Sequence, residues 1–145
     1  MLNPLTQSDY TVKNSNEFSK EVNAFKFAGP IFLASFDVRS LFDNIPLEET
    51  IDICIKECER LNIVPCNLTR KEFKSLLDII SVKESIFIFG DQLFKQVDGV
   101  AMGSPVGPTL ANLFLCYHES KWLSDCPDEF KPLKYSRYVD DFFGI

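Results

Sequence analysis

Three aspartates in apolar surroundings are the residues of this sequence best suited to chemistry. Asp37 ends the apolar run "IFLASFD", and Asp140 and Asp141 stand side by side in "YSRYVDDFFGI". Carboxylates are ligands of Mg²⁺, and two such ions can promote phosphoryl transfer. Adjacent carboxylates among aromatic residues repel one another unless a cation lies between them. Two ordinary alternatives stay open: a solvated turn at Asp140-Asp141 and a strand-end cap at Asp37.

A loop rich in glycine and proline separates the acids along the chain. The stretch "MGSPVGP" precedes a helical pattern, and its glycines and prolines are incompatible with regular structure. Exposed backbone N–H groups in such a loop could approach a phosphate or a base. An irregular loop without any ligand explains the same residues.

Apolar periodicity predicts which elements carry these residues. Ile31 to Asp37 has the length of a buried strand, and strands are also expected at "LKYSRYV" and "FFGI", with Asp140-Asp141 in the turn between them. Further predicted elements are a polar lead-in over residues 1–24, helices over 46–61 and 69–80, a hairpin around Gly90-Asp91 and a helix from Thr109. Thr69 and Glu72 have capping-box spacing. The order predicts an α+β fold with helices on one face of an antiparallel sheet.

Composition restricts the class of protein. The chain has 145 residues, 46% of them hydrophobic, and a formal net charge of −6. The length suits one domain, and the charge argues against holding nucleic acid by general electrostatics. No apolar run is long enough to span a bilayer. Five cysteines without a secretory leader indicate an intracellular, reduced protein, and the lack of a CxxC pair argues against zinc at Cys54, Cys58, Cys66 and His118.

Three stretches in order resemble one family. "SFDVRSLFDNIP", "DGVAMGSPVGPTLANLF" and "YSRYVDDFFGI" resemble motifs A, B and C of reverse transcriptases, most closely those of Penelope-like retroelements. The resemblance extends from about Thr11 to Ile145. It implies a partial polymerase palm, an antiparallel sheet of RNA-recognition or ferredoxin-like topology packed on helices. Residues 1–28 would be a lead-in from the junction of fingers and palm, and residues 29–145 a palm truncated at its C-terminal end.

The resemblance also implies a site. Asp37, Asp140 and Asp141 would be catalytic and, with the backbone carbonyl of Val38, would hold two Mg²⁺ ions, for which Mn²⁺ is an alternative. Phe42 matches the aromatic residue that excludes a 2′-hydroxyl from the incoming nucleotide, although a core phenylalanine is the plain alternative. The remaining implied contacts are those of Met102, Gly103, Ser104 and Pro105 with the nucleotide and those of Arg39, Arg137 and Tyr138 with phosphate or primer. Surface ion pairs explain the two arginines equally well.

The implied activity is RNA-directed DNA synthesis with an RNA template, a DNA primer and dNTPs, in the nucleus and without a membrane. Asp43 departs from the family, which more often has threonine there; it adds negative charge or caps the helix near Pro46. Fingers, thumb and a GIY-YIG endonuclease domain would lie outside this chain, and the isolated chain is therefore expected to be inactive. Rival interpretations are an inactive remnant, an RNA-binding module and a receiver domain. An RNA-binding module would show a basic aromatic strand, which "IFLASFD" is not, and a receiver domain would carry its acid pair after the first strand, whereas here the pair comes last.

Overall fold

The secondary structure alternates helices with short antiparallel strands. The structure is a computed structural model, and it describes residues 2–65, 68–82, 86–101 and 103–145. The helices are α1 (Ser15–Ala24), α2 (Leu41–Asn44), α3 (Leu47–Arg60), α4 (Arg70–Val82) and α5 (Gly107–Asp125), with 3₁₀ turns at Asn3–Thr6 and Asp128–Phe130. The strands are β1 (Ala34–Asp37), β2 (Ile86–Phe89), β3 (Gln92–Lys95), β4 (Tyr135–Tyr138) and β5 (Asp141–Gly144). The α+β prediction is confirmed.

The chain divides into two units. The sheet unit comprises residues 8–39 and 120–145, and the helical unit comprises residues 1–7 and 40–119. All three candidate acids belong to the sheet unit, whereas Phe42 and the glycine-rich loop belong to the helical unit. Within the described residues, no helix combines the length and apolar character needed to cross a membrane.

An antiparallel sheet of order β1-β5-β4 forms the centre of the sheet unit. Helices contact both of its faces rather than one. Phe18 of α1 meets Phe143 edge to face at 5.3 Å between ring centroids, and Trp122 of α5 meets Tyr135 at 5.8 Å. Because Phe143 and Tyr135 occupy positions of opposite parity in the paired strands, the two contacts lie on opposite faces. The sheet is therefore covered in part on each side.

The strand before Asp37 is shorter and more exposed than the apolar run predicts. β1 begins at Ala34 rather than Ile31, and Phe32 is 89% exposed. β1 lies at the edge of the described sheet, so β5 is the one strand with which it pairs there. The prediction of a buried strand is thus wrong. Hydrophobic composition does not show whether another strand or a helix covers the two faces and the edge of this segment.

The helical unit has an apolar core between α3 and α4. Ile51 and Ile55 of α3 and Phe73 and Leu77 of α4 are all buried. The predicted capping box opens α4: the Thr69 amide and hydroxyl donate to Glu72 at 2.8 and 2.7 Å. These two hydrogen bonds lower the pKa of Glu72. The hairpin prediction is also confirmed, because β2 and β3 pair around a turn at Gly90-Asp91.

Candidate active site

The pairing of β1 with β5 brings two of the candidate acids together. Asp37 lies directly opposite Asp141 in the antiparallel register, so both side chains leave the same face of the sheet. Residues paired in this way have Cβ atoms about 4.5–5.5 Å apart, and like charges at such positions destabilise a sheet. Both residues are exposed. A cation between the two carboxylates would remove this repulsion.

Asp140 lies in the loop between β4 and β5, one residue before Asp141. The loop consists of Val139 and Asp140, and not of the two aspartates as the sequence predicts, because Asp141 already pairs with Asp37. The Asp140 carbonyl accepts a hydrogen bond from the Val38 amide at 3.1 Å. Asp140 is therefore held next to the end of β1.

The donor chemistry of these residues suits magnesium. Three carboxylates and backbone carbonyls are hard oxygen ligands of the kind that Mg²⁺ prefers. Within the described ranges, however, no group of three or more His, Cys, Asp or Glu side chains is arranged to hold a metal. The structure thus pairs Asp37 with Asp141 and ties the Asp140 backbone to Val38, but it does not gather all three carboxylates into one ligand set.

The three residues predicted to contact phosphate or primer differ in accessibility. Arg137 is only 1% exposed, and its Nη1 donates to the Val139 carbonyl at 2.9 Å. Arg137 pairs with Phe142, so its side chain leaves the face opposite Asp141. Tyr138 pairs with Asp141 and is 55% exposed, and Arg39 is exposed. Phosphate contacts of all three stay predictions, and the described position of Arg137 gives it a different partner.

A cleft of about 570 Å³ opens on the face of the sheet that carries the acids. Its volume falls in the range of small-molecule sites, about 300–1,000 Å³. Asp141, Tyr138 and Phe143 line it from the sheet, and Lys13 and Asn14 line it from the start of α1. The cleft thus combines an apolar wall with an acid and a lysine.

Phe42 lies in α2 of the helical unit and is half-buried. Its carbonyl accepts a hydrogen bond from the Val100 amide at 2.7 Å. Motif A and motif B are therefore joined through the backbone at the residue that the family resemblance assigns to sugar selection.

Asp98 and Gly99 make this junction possible, and the sequence analysis did not single out either residue. The Asp98 carboxylate accepts from the amides of Leu47 and Gly99 at 3.4 and 2.8 Å. The cap of α3 is thus supplied by Asp98, 51 residues away in sequence, and not by Asp43, which lies within α2. Aspartate followed by glycine was the available signal, but it is also typical of an ordinary turn.

The glycine-rich loop presents three of its four predicted nucleotide contacts. Gly103, Ser104 and Pro105 line a cleft of about 500 Å³ together with Asp43. The Ser104 hydroxyl is buried and has no hydrogen-bond partner among the described residues. Met102 lies outside the described residues. Three of the four residues predicted to contact the nucleotide thus line one cleft of the helical unit.

The cysteines do not form a metal site in the described part of the chain. Among the described residues, Cys54, Cys58, Cys116 and Cys126 form no disulfide, and Cys66 lies outside the described residues. Burial raises the pKa of the Cys54 thiol to about 12 and also raises the pKa of Cys58. Both thiols are therefore protonated near neutral pH.

Cysteine alkylation measures this protection. At pH 8, Cys54 and Cys58 are expected to react with iodoacetamide at least about a hundredfold more slowly than Cys126, because they are buried and protonated. Peptide mass spectrometry gives each rate, and the guanidinium-unfolded chain is the control in which all cysteines react. Similar rates for Cys54 in folded and unfolded protein would contradict the buried core.

In this short antiparallel sheet, a strand that ends in an aspartate pairs with a hairpin that carries two further aspartates. This is the arrangement of a polymerase palm. The chain belongs to the reverse transcriptase family: the family profile described as "Reverse transcriptase (RNA-dependent DNA polymerase)" matches residues 3–144. Comparison with curated proteins gives no match.

A solved structure supports the fold independently. It is that of apo telomerase from Candida tropicalis, truncated from its C-terminal domain, with a TM-score of 0.70 and 19% identity. The alignment covers 99% of this chain and 31% of the telomerase chain. At this identity the likeness shows the fold, and the chain spans about a third of that protein's length.

Proposed function

We propose that this chain is the catalytic palm segment of a retroelement reverse transcriptase, most similar to the Penelope-like group. The enzyme transfers a nucleoside monophosphate from a dNTP to the 3′-hydroxyl of a DNA primer on an RNA template. The observation that carries the proposal is the register of β1 and β5, which sets Asp37 opposite Asp141 and beside the Asp140 loop. Family membership supports RNA-directed DNA synthesis as the reaction class.

The predicted site residues other than Arg137 have roles in this proposal. Asp37, Asp140, Asp141 and the Val38 carbonyl would hold two Mg²⁺ ions, or Mn²⁺. When bound, these ions supply charge neutralisation for the hydroxyl nucleophile and the leaving pyrophosphate. The chain's own contribution is to keep these oxygen ligands at one end of the paired strands β1 and β5. Ser104 and its neighbours contact the nucleotide, and Arg39 and Tyr138 contact phosphate or primer.

The palm is proposed to work within a longer protein that also supplies cationic surfaces. The formal charge of −6 offers little attraction for a nucleic-acid backbone, and the chain spans 31% of the telomerase structure. Residues 29–145 would be palm, with residues 1–28 leading in from the fingers. Fingers, a thumb and a GIY-YIG endonuclease would come from the same polyprotein, acting in the nucleus.

Primer extension tests this function. The isolated 145 residues are expected to add no nucleotide to an oligo(dT) primer on poly(rA) with Mg²⁺, because their formal charge of −6 offers little attraction for the template and primer. The same reading frame, extended through its flanking genomic sequence, is expected to synthesise DNA. Robust extension by the isolated chain would contradict the requirement for further domains. An inert extended frame, checked for folding, would favour the alternative of an inactive remnant.

Phe42→Ala is expected to relax sugar selection in the extended enzyme. An aromatic ring at this position would fill the space of a 2′-hydroxyl, so its removal should raise ribonucleotide incorporation relative to dNTP by at least about tenfold, or about 1.4 kcal/mol. Competing rNTP and dNTP incorporation measures the ratio. Phe130→Ala is the control, because Phe130 is an aromatic residue of the sheet unit that is 72% exposed and lines neither of the two clefts described above. An unchanged ratio in Phe42→Ala would show that Phe42 is only a core residue.

A further inference from the structure

Arg137 is a charged side chain in the interior of the sheet unit. It is 1% exposed and heads the fully buried side chains when they are ranked by volume. Both backbone polar groups of Arg137 bond to one segment: the Arg137 amide donates to the Tyr10 carbonyl, and its carbonyl accepts from the Val12 amide, each at 2.8 Å. A buried guanidinium needs hydrogen-bond acceptors to offset its desolvation. The backbone of Arg137 is thus fixed, and its buried guanidinium needs polar partners in the interior of the sheet unit.

One of those acceptors lies in the loop that carries Asp140. Arg137 Nη1 donates to the Val139 carbonyl at 2.9 Å. This carbonyl belongs to the peptide group that joins the two loop residues, Val139 and Asp140. Two-residue hairpin turns differ from one another chiefly in how this central peptide is oriented. A donor held at the Val139 carbonyl therefore selects one orientation of the loop.

The loop needs such a constraint because Val139 has an unfavourable backbone conformation. Its φ is 57°, in the left-handed region that β-branched residues rarely adopt. Residues with such angles persist only where the surrounding structure determines them strongly. The hydrogen bond from Arg137 is one such determinant, since it can form only while the Val139 carbonyl points toward the guanidinium.

The constraint continues from the loop to β1. The Asp140 carbonyl accepts from the Val38 amide at 3.1 Å, next to Asp37. Arg137 leaves the opposite face of the sheet from Asp37 and Asp141. The guanidinium thus contacts the loop from the opposite face of the sheet and does not face Asp37 or Asp141.

We propose that Arg137 is a positioning residue that orients the Val139–Asp140 peptide and so holds Asp140 against the end of β1. The importance of Asp140 for catalysis rests on the proposed function, whereas the orientation of the loop does not. Arg137 itself touches neither metal nor substrate. Its loss should therefore loosen the link between Asp140 and Val38 before it affects the rest of the sheet unit.

Amide hydrogen exchange of the 145-residue chain, followed by NMR without metal or nucleotide, tests this inference. Arg137→Met is expected to accelerate exchange of the Val38 amide by at least about tenfold, while the amide of Ile55 in α3 keeps its wild-type rate. Lys134→Met is the matched control, because it also removes a cation from the sheet unit but one that pairs with Glu21. A wild-type Val38 rate in folded Arg137→Met would overturn the proposal.

Two further measurements decide the case if Arg137→Met does not fold. Arg137→Lys keeps the charge but lacks the rigid fork of donors, so Val38 should exchange at least about threefold faster than in wild type. In the wild-type chain, guanidinium protons of Arg137 should show NOEs to the backbone of Asp140. Absence of these NOEs, or an unchanged Val38 rate in Arg137→Lys, would overturn the proposal.

Failure of the proposed function gives a different result. If the chain is not part of a polymerase, the Val38 amide still exchanges faster in the Arg137 variants than in wild type, but the extended frame shows no DNA synthesis. If Arg137 positions the loop of an active enzyme, Arg137→Lys lowers kcat by about tenfold or more with little change in the KM for dNTP. A higher KM for dNTP with an unchanged kcat would indicate a phosphate contact and would overturn the positioning role.

Discussion

Asp140→Asn is expected to lower Mg²⁺-dependent DNA synthesis by the extended enzyme at least about a thousandfold, since the Asp140 carboxylate would hold a cation that offsets the negative charge of the reacting phosphate. Asparagine keeps the size of the side chain and the backbone of the loop, so the hydrogen bond from Val38 can remain. Asp37→Asn is expected to act in the same way. Single-turnover primer extension measures each rate.

The control for charge removal is Asp91→Asn. Asp91 is exposed in the hairpin turn of the helical unit, and its substitution should leave the extension rate within about twofold of wild type, as expected for a surface change. An Asp140→Asn enzyme that retains a tenth or more of wild-type activity would refute the assignment of Asp140 as a metal ligand. Circular dichroism of each variant separates lost chemistry from lost folding.

Gly99→Ala is expected to reduce the free energy of unfolding by about 3 kcal/mol. The added Cβ would lie 2.7 Å from the Asp43 carbonyl oxygen and 2.9 Å from that of Phe42, and both are backbone atoms that cannot rotate away. The φ of 77° adds strain for any residue with a side chain. Urea unfolding followed by circular dichroism measures the change.

Gly90→Ala is the matched control for backbone conformation alone. Gly90 also has a positive φ, of 62°, but an added Cβ would meet nothing within 4 Å. Its substitution is expected to cost about 1 kcal/mol, the strain of the left-handed conformation. Equal losses in the two variants would show that the close approach of Gly99 to α2 does not exist. A larger loss in Gly99→Ala, together with relaxed sugar selection, would show that this contact positions Phe42.

Much of the order of elements was predictable from the sequence. Apolar runs bounded by turn residues predicted the hairpin at Gly90-Asp91 and the strands around Asp140, and the spacing of Thr69 and Glu72 predicted the capping box. These signals are local, because each depends on residues within one turn or one strand. The pairing of Asp37 with Asp141 was expected only as a consequence of the motif order.

The interactions that hold the candidate site were not predictable, because each joins distant residues or depends on backbone angles. The cap that Asp98 provides for Leu47 spans 51 residues. Burial of Arg137 contradicts the usual surface position of arginine and follows from the segment at Tyr10 to Val12, which covers that edge of β4. The left-handed Val139 opposes the preference of a β-branched residue, so tertiary contacts override local propensity there.

Mn²⁺ binding to the 145-residue chain tests the central claim most directly, since it requires neither template nor additional domains. In ¹⁵N NMR spectra, substoichiometric Mn²⁺ is expected to broaden the amides of Asp37, Val38, Asp140 and Asp141 before all others. Asp140→Asn should raise the Mn²⁺ concentration needed for the same broadening by at least about tenfold, whereas Asp91→Asn should leave it unchanged. Broadening centred elsewhere, or unaffected by Asp140→Asn, would contradict the assignment of these aspartates as the metal site of a polymerase palm.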